Sequence, residues 1–349
     1  MQRHRLIGLI AGPAAGAAIL LAPPPAGLSP DGWTVAAVAV LMAVWWMTEA
    51  LPLAATALLP LALLPLLGVQ TIGAIAPAYA NPLIFLFFGG FLMARALQVW
   101  SVDKRLALAV LRRTGARRPV VIAAVMGVTA FLSMWVSNTA TAMVMLPIGL
   151  SVIPAFQTEA AEGQDGFAPA LLLGIAYAAT IGGMGTIIGT PPNALFAAYM
   201  AETHGVEIDF LRWMLIGLPA VLILLPLAWF VLTRVAFRVA ADPPSSVVTT
   251  LDVPGPMSRA EYMVAVLMFV VAACWIFRPL LAGALPGLPL TDAGIAITGA
   301  VLCFLLPVDL KQGRFLLSWD EAAAIRWDVL ILFGGGLALA AAIGDTDLA

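Results

Sequence analysis

Residues 133–141 read Ser-Met-Trp-Val-Ser-Asn-Thr-Ala-Thr and lie between two apolar stretches, 119–136 and 140–156. Serine, asparagine and threonine side chains compete for backbone hydrogen bonds, so they open helices more readily than they continue them. A polar run at this position therefore predicts the tip of a helical hairpin. Its side-chain oxygens and freed backbone carbonyls suit a cation such as sodium, and the helix N-terminus that begins there attracts anions.

A second interruption falls in the apolar stretch 169–200, where residues 181–193 read Ile-Gly-Gly-Met-Gly-Thr-Ile-Ile-Gly-Thr-Pro-Pro-Asn. Pro192 cannot donate a backbone hydrogen bond, Pro191 displaces Thr190 from helical dihedral angles, and glycine permits angles that other residues avoid. The pattern predicts a broken membrane helix, a feature that builds ion and substrate sites in secondary transporters. The alternative is that these small residues only pack helices together. Two interrupted helices, one with a tandem proline, favour a site.

The composition of the chain indicates a membrane environment. Of its 349 residues, 62% are hydrophobic and 10% are charged, and the mean hydropathy is +1.02. A soluble domain typically has about 45–50% apolar and about 25% charged residues, so the predicted fold class is an all-α polytopic membrane protein. No basic patch with interleaved aromatic residues indicates a nucleic-acid partner. Cys274 and Cys303 lie inside apolar runs and are expected to be buried apolar residues, neither disulfide-bonded nor metal ligands.

A membrane span needs about 20 mainly apolar residues. The candidate spans are 6–22, 33–48, 51–67, 81–97, 119–136, 140–156, 169–200, 211–233, 260–280, 288–307 and 327–344. The first follows a short basic N-terminus, as in a signal peptide, but the later spans favour a retained helix. No charged residue or histidine lies near the middle of any span, so a proton relay is not expected. An anion site would draw its positive charge from helix N-termini and bound cations.

Basic residues predict which side of the membrane each loop faces, because cytoplasmic loops are rich in lysine and arginine. Arg3 and Arg5 place the N-terminus in the cytoplasm, and the basic stretch 95–118, read as including a surface helix, lies on the same side four spans later. The acidic connector at 159–165 is cytoplasmic whether residues 119–156 form two full spans or one re-entrant hairpin. The polar tip favours the hairpin.

The chain also contains an internal repeat. Residues 84–94 (IFLFFGGFLMA) resemble residues 329–339 (VLILFGGGLAL), and a similar span precedes each copy, at 51–65 and 288–307. An odd number of crossings separates the copies, so they are predicted to run in opposite directions, as in the inverted repeats of many secondary transporters. By the pattern of the first copy, a second polar-tipped hairpin and a second broken helix should follow residues 344–349. Neither does, so the chain is expected to be incomplete.

These features together resemble the divalent-anion/sodium symporters, a family that carries di- and tricarboxylates or sulfate. The resemblance covers essentially the whole chain. It rests on residues 46–52 (WMTEALP), 88–91 (FGGF), 137–141 (SNTAT) and 189–193 (GTPPN). The order and separation of the last two motifs are specific to the family, and the resemblance implies an elevator-type, inverted-repeat secondary transporter.

The resemblance also implies a set of site residues and partners. The sodium ligands that it implies are Ser133, Ser137, Asn138 and the backbone of Gly189. The residues that it implies beside a substrate carboxylate are Asn138, Thr139, Thr190 and Pro191. Members of the family are homodimers that move a transport domain past a scaffold, so the expected partners are Na⁺, a small dicarboxylate or related anion, the lipid bilayer and a second copy of the chain.

On this basis the chain divides into four predicted parts. They are scaffold spans with a cytoplasmic surface helix at 1–118, half of a transport domain at 119–233, a cytoplasmic connector at 234–259, and the scaffold spans of an incomplete second repeat at 260–349. The transport-domain half consists of the re-entrant hairpin 119–156, the broken helix 169–200 and the following span 211–233.

The predicted function is sodium-coupled symport of C4 dicarboxylates such as succinate or malate across the inner membrane, with no enzymatic activity. Because the second SNT half-site is missing, this polypeptide by itself is not expected to transport. Two alternatives remain open: a non-transporting truncated homologue that pairs with or modulates a full-length transporter, and a sulfate- or tricarboxylate-specific member. An intramembrane hydrolase is disfavoured, because a serine nucleophile needs a partner at membrane depth and His4 and His204 lie at span ends.

Overall fold

The computed structural model describes residues 3–114, 117–156, 166–239, 255–346 and 348. The first helices are α1 (Arg3–Leu21), α2 (Pro30–Thr48), α3 (Leu53–Thr56), α4 (Leu59–Leu66), α5 (Ile72–Ile75), α6 (Pro82–Val99) and α7 (Val102–Leu111), with a 3₁₀ turn at Ala76–Ala80. The next are α8 (Arg118–Ser133), α9 (Asn138–Phe156), α10 (Phe167–Gly183), α11 (Pro191–His204) and α12 (Phe210–Phe230), which continues as a π-helix at Val231–Ala236. The chain then forms α13 (Arg259–Ile276), α14 (Arg278–Ala284), α15 (Asp292–Leu305), strands β1 (Pro307–Asp309) and β2 (Arg314–Phe315), α16 (Trp319–Ala322) and α17 (Trp327–Asp345).

Several of these helices match the thickness of a membrane. In the described part of the chain, six are long and apolar enough to cross it: α1, α2, α6, α12 with its π-helical extension, α13 and α17. Helix α12 shows why lipid is the solvent, since its side chains Leu215, Ile216 and Leu222 are 67–72% exposed. A side chain of this size loses about 1.5–3 kcal/mol of stabilisation when it is left in water and not buried. The chain is therefore an all-α polytopic membrane protein, as its composition predicts.

Residues Met1–Phe88 and Arg326–Ala349 form one compact unit. Within it, α1 lies directly on α2 through glycine: a Cβ atom built on Gly12 would lie 2.6 Å from the indole ring of Trp45. Small residues of this kind let membrane helices approach closely. The buried core of the unit joins α2, α4, α5 and α17, and it includes Val38, Met42, Leu64, Ile75 and Ala338.

Residues Gly89–Ile325 form the second unit. Its core lies among α7, α8, α9, α10 and the end of α12, and it includes Ile122, Met126, Met145, Phe156 and Leu171. Helices α8 and α10 are in close contact, because a Cβ atom on Gly182 would overlap the backbone of Ala130. The predicted broken helix thus packs directly against the first arm of the predicted hairpin. The assignment of scaffold and transport parts along the chain stays a prediction.

Proline divides two of the predicted spans. The stretch 51–67 forms α3 and α4 and not one helix, and the stretch 260–280 forms α13 followed by α14. Pro60 stands at the start of α4 and Pro279 at the start of α14. Proline cannot donate a hydrogen bond to the carbonyl four residues earlier, so each helix stops and restarts there. The candidate spans 51–67 and 260–280 thus each contain two helices.

A short hairpin, β1–β2, was also not predicted. The Asp309 carboxylate accepts a hydrogen bond from the backbone N–H of Lys311 at 2.8 Å, and Gly313 has a φ of 63°. An aspartate that caps a turn and a glycine at positive φ are both turn signals, and they close the two strands. The predicted acidic connector 159–165 and residues 240–254 of the predicted connector lie outside the described residues.

The two copies of the internal repeat make matching contacts. In the second unit, a Cβ atom on Gly89 of the first copy would overlap the backbone of Ala296, in the first span of the second copy. In the first unit, a Cβ atom on Gly335 of the second copy would overlap Ala57, in the first span of the first copy. One glycine of each copy, Gly89 or Gly335, therefore packs against the span that opens the other copy. The opposite direction of the copies stays a prediction.

Candidate functional site

The candidate site begins at the tip of a helical hairpin. Helix α8 ends at Ser133 and α9 begins at Asn138, as the polar run predicts. The Ser137 hydroxyl accepts a hydrogen bond from the backbone N–H of Ala140 at 3.4 Å. A serine oxygen in this place satisfies one of the donors that every helix N-terminus leaves unpaired. The N-terminus of α9 thus lies at the hairpin tip, where the sequence places it.

The broken helix lies against this tip. Helix α10 ends at Gly183, α11 begins at Pro191, and the residues between them form turns. Thr190 has the extended dihedral angles φ −148° and ψ 144°, as expected for a residue before proline. A Cβ atom on Gly183 would overlap the Asn138 side-chain oxygen, and one on Gly189 would overlap the Gly183 carbonyl. The glycines therefore bring the break into contact with the hairpin tip.

Two acceptor oxygen atoms converge on the Ser133 hydroxyl. Its side chain is fully buried, and its Oγ lies 2.7 Å from Asn138 Oδ1 and 2.7 Å from the carbonyl oxygen of Ala179. A serine hydroxyl has one proton, so it can donate to only one of these acceptors at a time. Ser133 Oγ, Asn138 Oδ1 and the Ala179 carbonyl thus lie together at the hairpin tip. Neutral oxygen atoms of these kinds can coordinate a cation.

The four predicted sodium ligands all offer oxygen atoms, which hard cations prefer, and they lie close together in the structure. Ser133 and Asn138 are in direct contact, and Ser137 is the residue before Asn138. Gly189 packs on Gly183, which in turn packs on the Asn138 side chain. Among the described residues, no hydrogen-bond donor reaches the Gly189 carbonyl. An all-oxygen set of hydroxyl, amide and backbone carbonyl groups is what alkali and alkaline-earth ions prefer. No group of three or more His, Cys, Asp or Glu side chains that could hold a transition metal occurs in the described part of the chain.

The predicted substrate residues occupy the starts of two helices. Thr139 is exposed in the first turn of α9, while Thr190 and Pro191 are half-buried where α11 begins. No hydrogen bond joins Thr139 to Thr190 among the residues described. Each helix N-terminus carries a partial positive charge that favours an anion. The substrate roles of these residues stay predictions.

Asn193 is a component of the site to which the sequence analysis gave no role. It is buried, and its side-chain amide donates hydrogen bonds to the carbonyls of Gly183 at 2.9 Å and Thr186 at 2.8 Å. A break in a helix frees carbonyl groups that must find other donors. An asparagine in the first turn after a tandem proline could have been recognised as that donor.

Two further hydrogen bonds fix the broken segment. The hydroxyl of Thr186 donates to the carbonyl of Met134 at the hairpin tip, and the indole N–H of Trp213 donates to the carbonyl of Met184 at 3.0 Å. Helix α12 is also close, because a Cβ atom on Gly217 would overlap the Met184 carbonyl. The break is therefore held on three sides, by Asn193 in α11, by the hairpin and by α12.

Comparison with known proteins shows the family of the chain. Residues 3–348 match the family model described as the sodium:sulfate symporter transmembrane region. The sodium-dependent dicarboxylate transporter SdcS of Staphylococcus aureus strain USA300 is 40% identical over 359 aligned residues, which cover 99% of this chain and 68% of the relative. The same transporter from strains bovine RF122 / ET3-1 and NCTC 8325 / PS 47 has the same identity and coverage.

Proposed function

The chain belongs to the family of sodium:sulfate symporter transmembrane regions, and from that premise we propose that it carries C4 dicarboxylates such as succinate by sodium-coupled symport. The relative at 40% identity is a sodium-dependent dicarboxylate transporter, which favours a dicarboxylate over sulfate. The observation that carries the proposal is the convergence of Ser133 Oγ, Asn138 Oδ1 and the Ala179 carbonyl, three oxygens that share one hydroxyl proton.

In this proposal Ser133, Ser137, Asn138 and Gly189 hold the sodium ion. When bound, the ion supplies positive charge next to the substrate. Thr139 and Asn138 bind one carboxylate at the start of α9, and Thr190 and Pro191 lie beside it at the start of α11. The two helix N-termini add partial positive charge without any buried lysine or arginine, so the empty site avoids the cost of an unpaired ion in the membrane.

We further propose that the protein is a homodimer of the inner (plasma) membrane, with its N-terminus in the cytoplasm. The hairpin α8–α9 would be re-entrant from the cytoplasmic side and would move with the broken helix as part of a transport domain. Support comes from the close contact of Gly182 with Ala130, which makes hairpin and broken helix one packed body. The chain's chemistry in this proposal is binding and translocation, with no covalent step.

The proposal is tested by uptake into proteoliposomes. A purified full-length version of the protein should take up radiolabelled succinate in a saturable manner under an inward sodium gradient and not when choline replaces sodium. Unlabelled malate should compete with the label. Competition by sulfate or citrate alone, without malate, would identify the protein as an anion transporter of different specificity. Uptake that is equal with and without sodium would contradict sodium coupling.

Accessibility labelling tests the proposed orientation. In a protein in which Cys274 and Cys303 are replaced by serine, a cysteine at exposed Arg113 should react with a membrane-impermeant maleimide only from the cytoplasmic side. A cysteine at Ala26, exposed between α1 and α2, should react only from the opposite side, because one span separates it from the N-terminus. Labelling of both positions from the same side would contradict the predicted topology.

A further inference from the structure

A cavity of about 370 Å³ lies in the second unit, between the α6–α7 corner and helix α9. The corner contributes Arg95, Gln98, Ser101, Asp103 and Lys104, and α9 contributes a mainly apolar wall from Ala140 to Ile148. Sites for small molecules typically enclose about 300–1,000 Å³ and combine apolar walls with a few polar groups. The size and lining of this cavity therefore suit a small organic ion.

The two cations that line the cavity are Arg95 and Lys104. In the described part of the chain, neither Arg95 nor Lys104 forms an ion pair, whereas the neighbouring Arg105 contacts the Glu261 carboxylate at 2.7 Å. Arg95 donates instead to the carbonyl of Glu321 at 3.1 Å and to Gln98 Oε1 at 3.4 Å. Both side chains thus keep their charge available to an anion in the cavity.

Asp103 is the one carboxylate that lines the cavity, and it leaves a net charge of about +1 there, from two cations and one anion. Its side chain is buried and accepts a hydrogen bond from the backbone N–H of Lys104 at 2.7 Å. Burial raises the pKa of Asp103, although that hydrogen bond opposes the shift. As the pH falls and Asp103 becomes protonated, its negative charge therefore repels an anion in the cavity less strongly.

The position of the cavity connects it to the candidate site. Its α9 wall begins at Ala140, the residue after Thr139, and its charged end lies in the basic stretch that is predicted to face the cytoplasm. We propose that this cavity is a vestibule in which Arg95 and Lys104 bind the carboxylate of a dicarboxylate on the cytoplasmic side of the hairpin tip. The inference rests on the proposed function, and it assigns to these cations a role in cytoplasmic substrate recognition.

Lys104→Gln is the first test, because the Lys104 side chain is exposed and its removal breaks no described hydrogen bond. Sodium-dependent succinate transport is measured separately from each membrane face, in proteoliposomes of known orientation. We expect the apparent KM for cytoplasmic succinate to rise about threefold at low ionic strength, the effect of one partly screened charge, and to return toward wild type when salt is raised. The maximal rate and the KM at the other face should be unchanged.

Asp103→Asn should have the opposite effect, lowering the same cytoplasmic KM by about threefold, since it removes the opposing charge. Arg113→Gln is the matched control: it makes the same charge change in the same basic stretch, at an exposed residue outside the cavity. Its KM should equal that of the wild type. A pair of opposite shifts at two neighbouring positions is not a result that misfolding would produce.

Several results would overturn the vestibule. They are an unchanged KM in Lys104→Gln, an equal change at both membrane faces, and an equal change in Arg113→Gln. An effect seen only with phosphatidylglycerol vesicles, and absent in phosphatidylcholine, would show that the cations bind lipid headgroups instead. If the full-length wild-type protein shows no sodium-dependent succinate transport, the proposed function fails. Binding of succinate to purified wild type and Lys104→Gln then decides the vestibule, and equal affinities would overturn it.

Discussion

Replacing Asn138 with alanine is expected to abolish sodium-dependent uptake. The change removes one oxygen of the cluster around Ser133 and also the amide that is proposed to contact the substrate. Each hydrogen bond to a charged group contributes about 1.5–3 kcal/mol, which corresponds to about a 10- to 150-fold change in affinity. Losing a sodium ligand and a substrate donor together should reduce the initial rate of succinate uptake below detection.

Two companion variants make this result specific. Ser151→Ala, on the same helix, removes a hydroxyl that bonds only to the Ile148 carbonyl of that helix, and it should leave uptake near the wild-type level. Asn138→Asp keeps an oxygen ligand but adds negative charge. It should retain the rise in melting temperature that sodium causes, while failing to transport the dianion. If Asn138→Ala and Ser151→Ala behave alike, the hairpin tip only packs helices together.

The sequence predicts the elements of the site well because their signals are local. The polar run 133–141 and the tandem proline at 191–192 each favour a helix break through local backbone chemistry. The structure accordingly ends α8 at Ser133 and begins α11 at Pro191. Membrane spans were predictable for a similar reason, since lipid leaves the backbone no hydrogen-bond partner outside the helix.

The sequence does not predict which side chain or carbonyl forms the hydrogen bonds at each helix break. The contacts of Ser133 with Ala179, of Thr186 with Met134 and of Trp213 with Met184 join residues that are 29 to 52 positions apart. Such pairs depend on how α8, α10 and α12 pack, and one sequence carries no signal for that. The same holds for the division of 51–67, where the Tyr79 hydroxyl satisfies the Ala57 carbonyl at the break.

Asn193→Ala is expected to weaken sodium binding strongly, although Asn193 is not a proposed ligand. Its amide is the donor to the buried carbonyls of Gly183 and Thr186. A buried acceptor left without its donor costs about 1–3 kcal/mol, so the two together destabilise the present geometry by about 2–6 kcal/mol. The broken segment should relax until those carbonyls find other donors, and Gly189 would move with it, away from Ser133 and Asn138.

The measurement that separates this effect from simple destabilisation is the shift of melting temperature with sodium. A ligand that binds only the folded protein stabilises it by RT ln(1 + [L]/Kd), so a tenfold weaker site loses about 1.4 kcal/mol of that gain at high sodium. Asn193→Ala should therefore melt lower and also respond less to sodium. Thr298→Ala, which breaks one hydrogen bond within α15 at an exposed position, should keep the full sodium response. An Asn193→Ala protein with a lower melting temperature but an unchanged sodium shift would mean that the asparagine supports the fold without positioning Gly189. If the Asn193→Ala protein still inserts into the membrane but loses the sodium-dependent shift in melting temperature, then Asn193 positions Gly189 for sodium binding by holding the broken helix open.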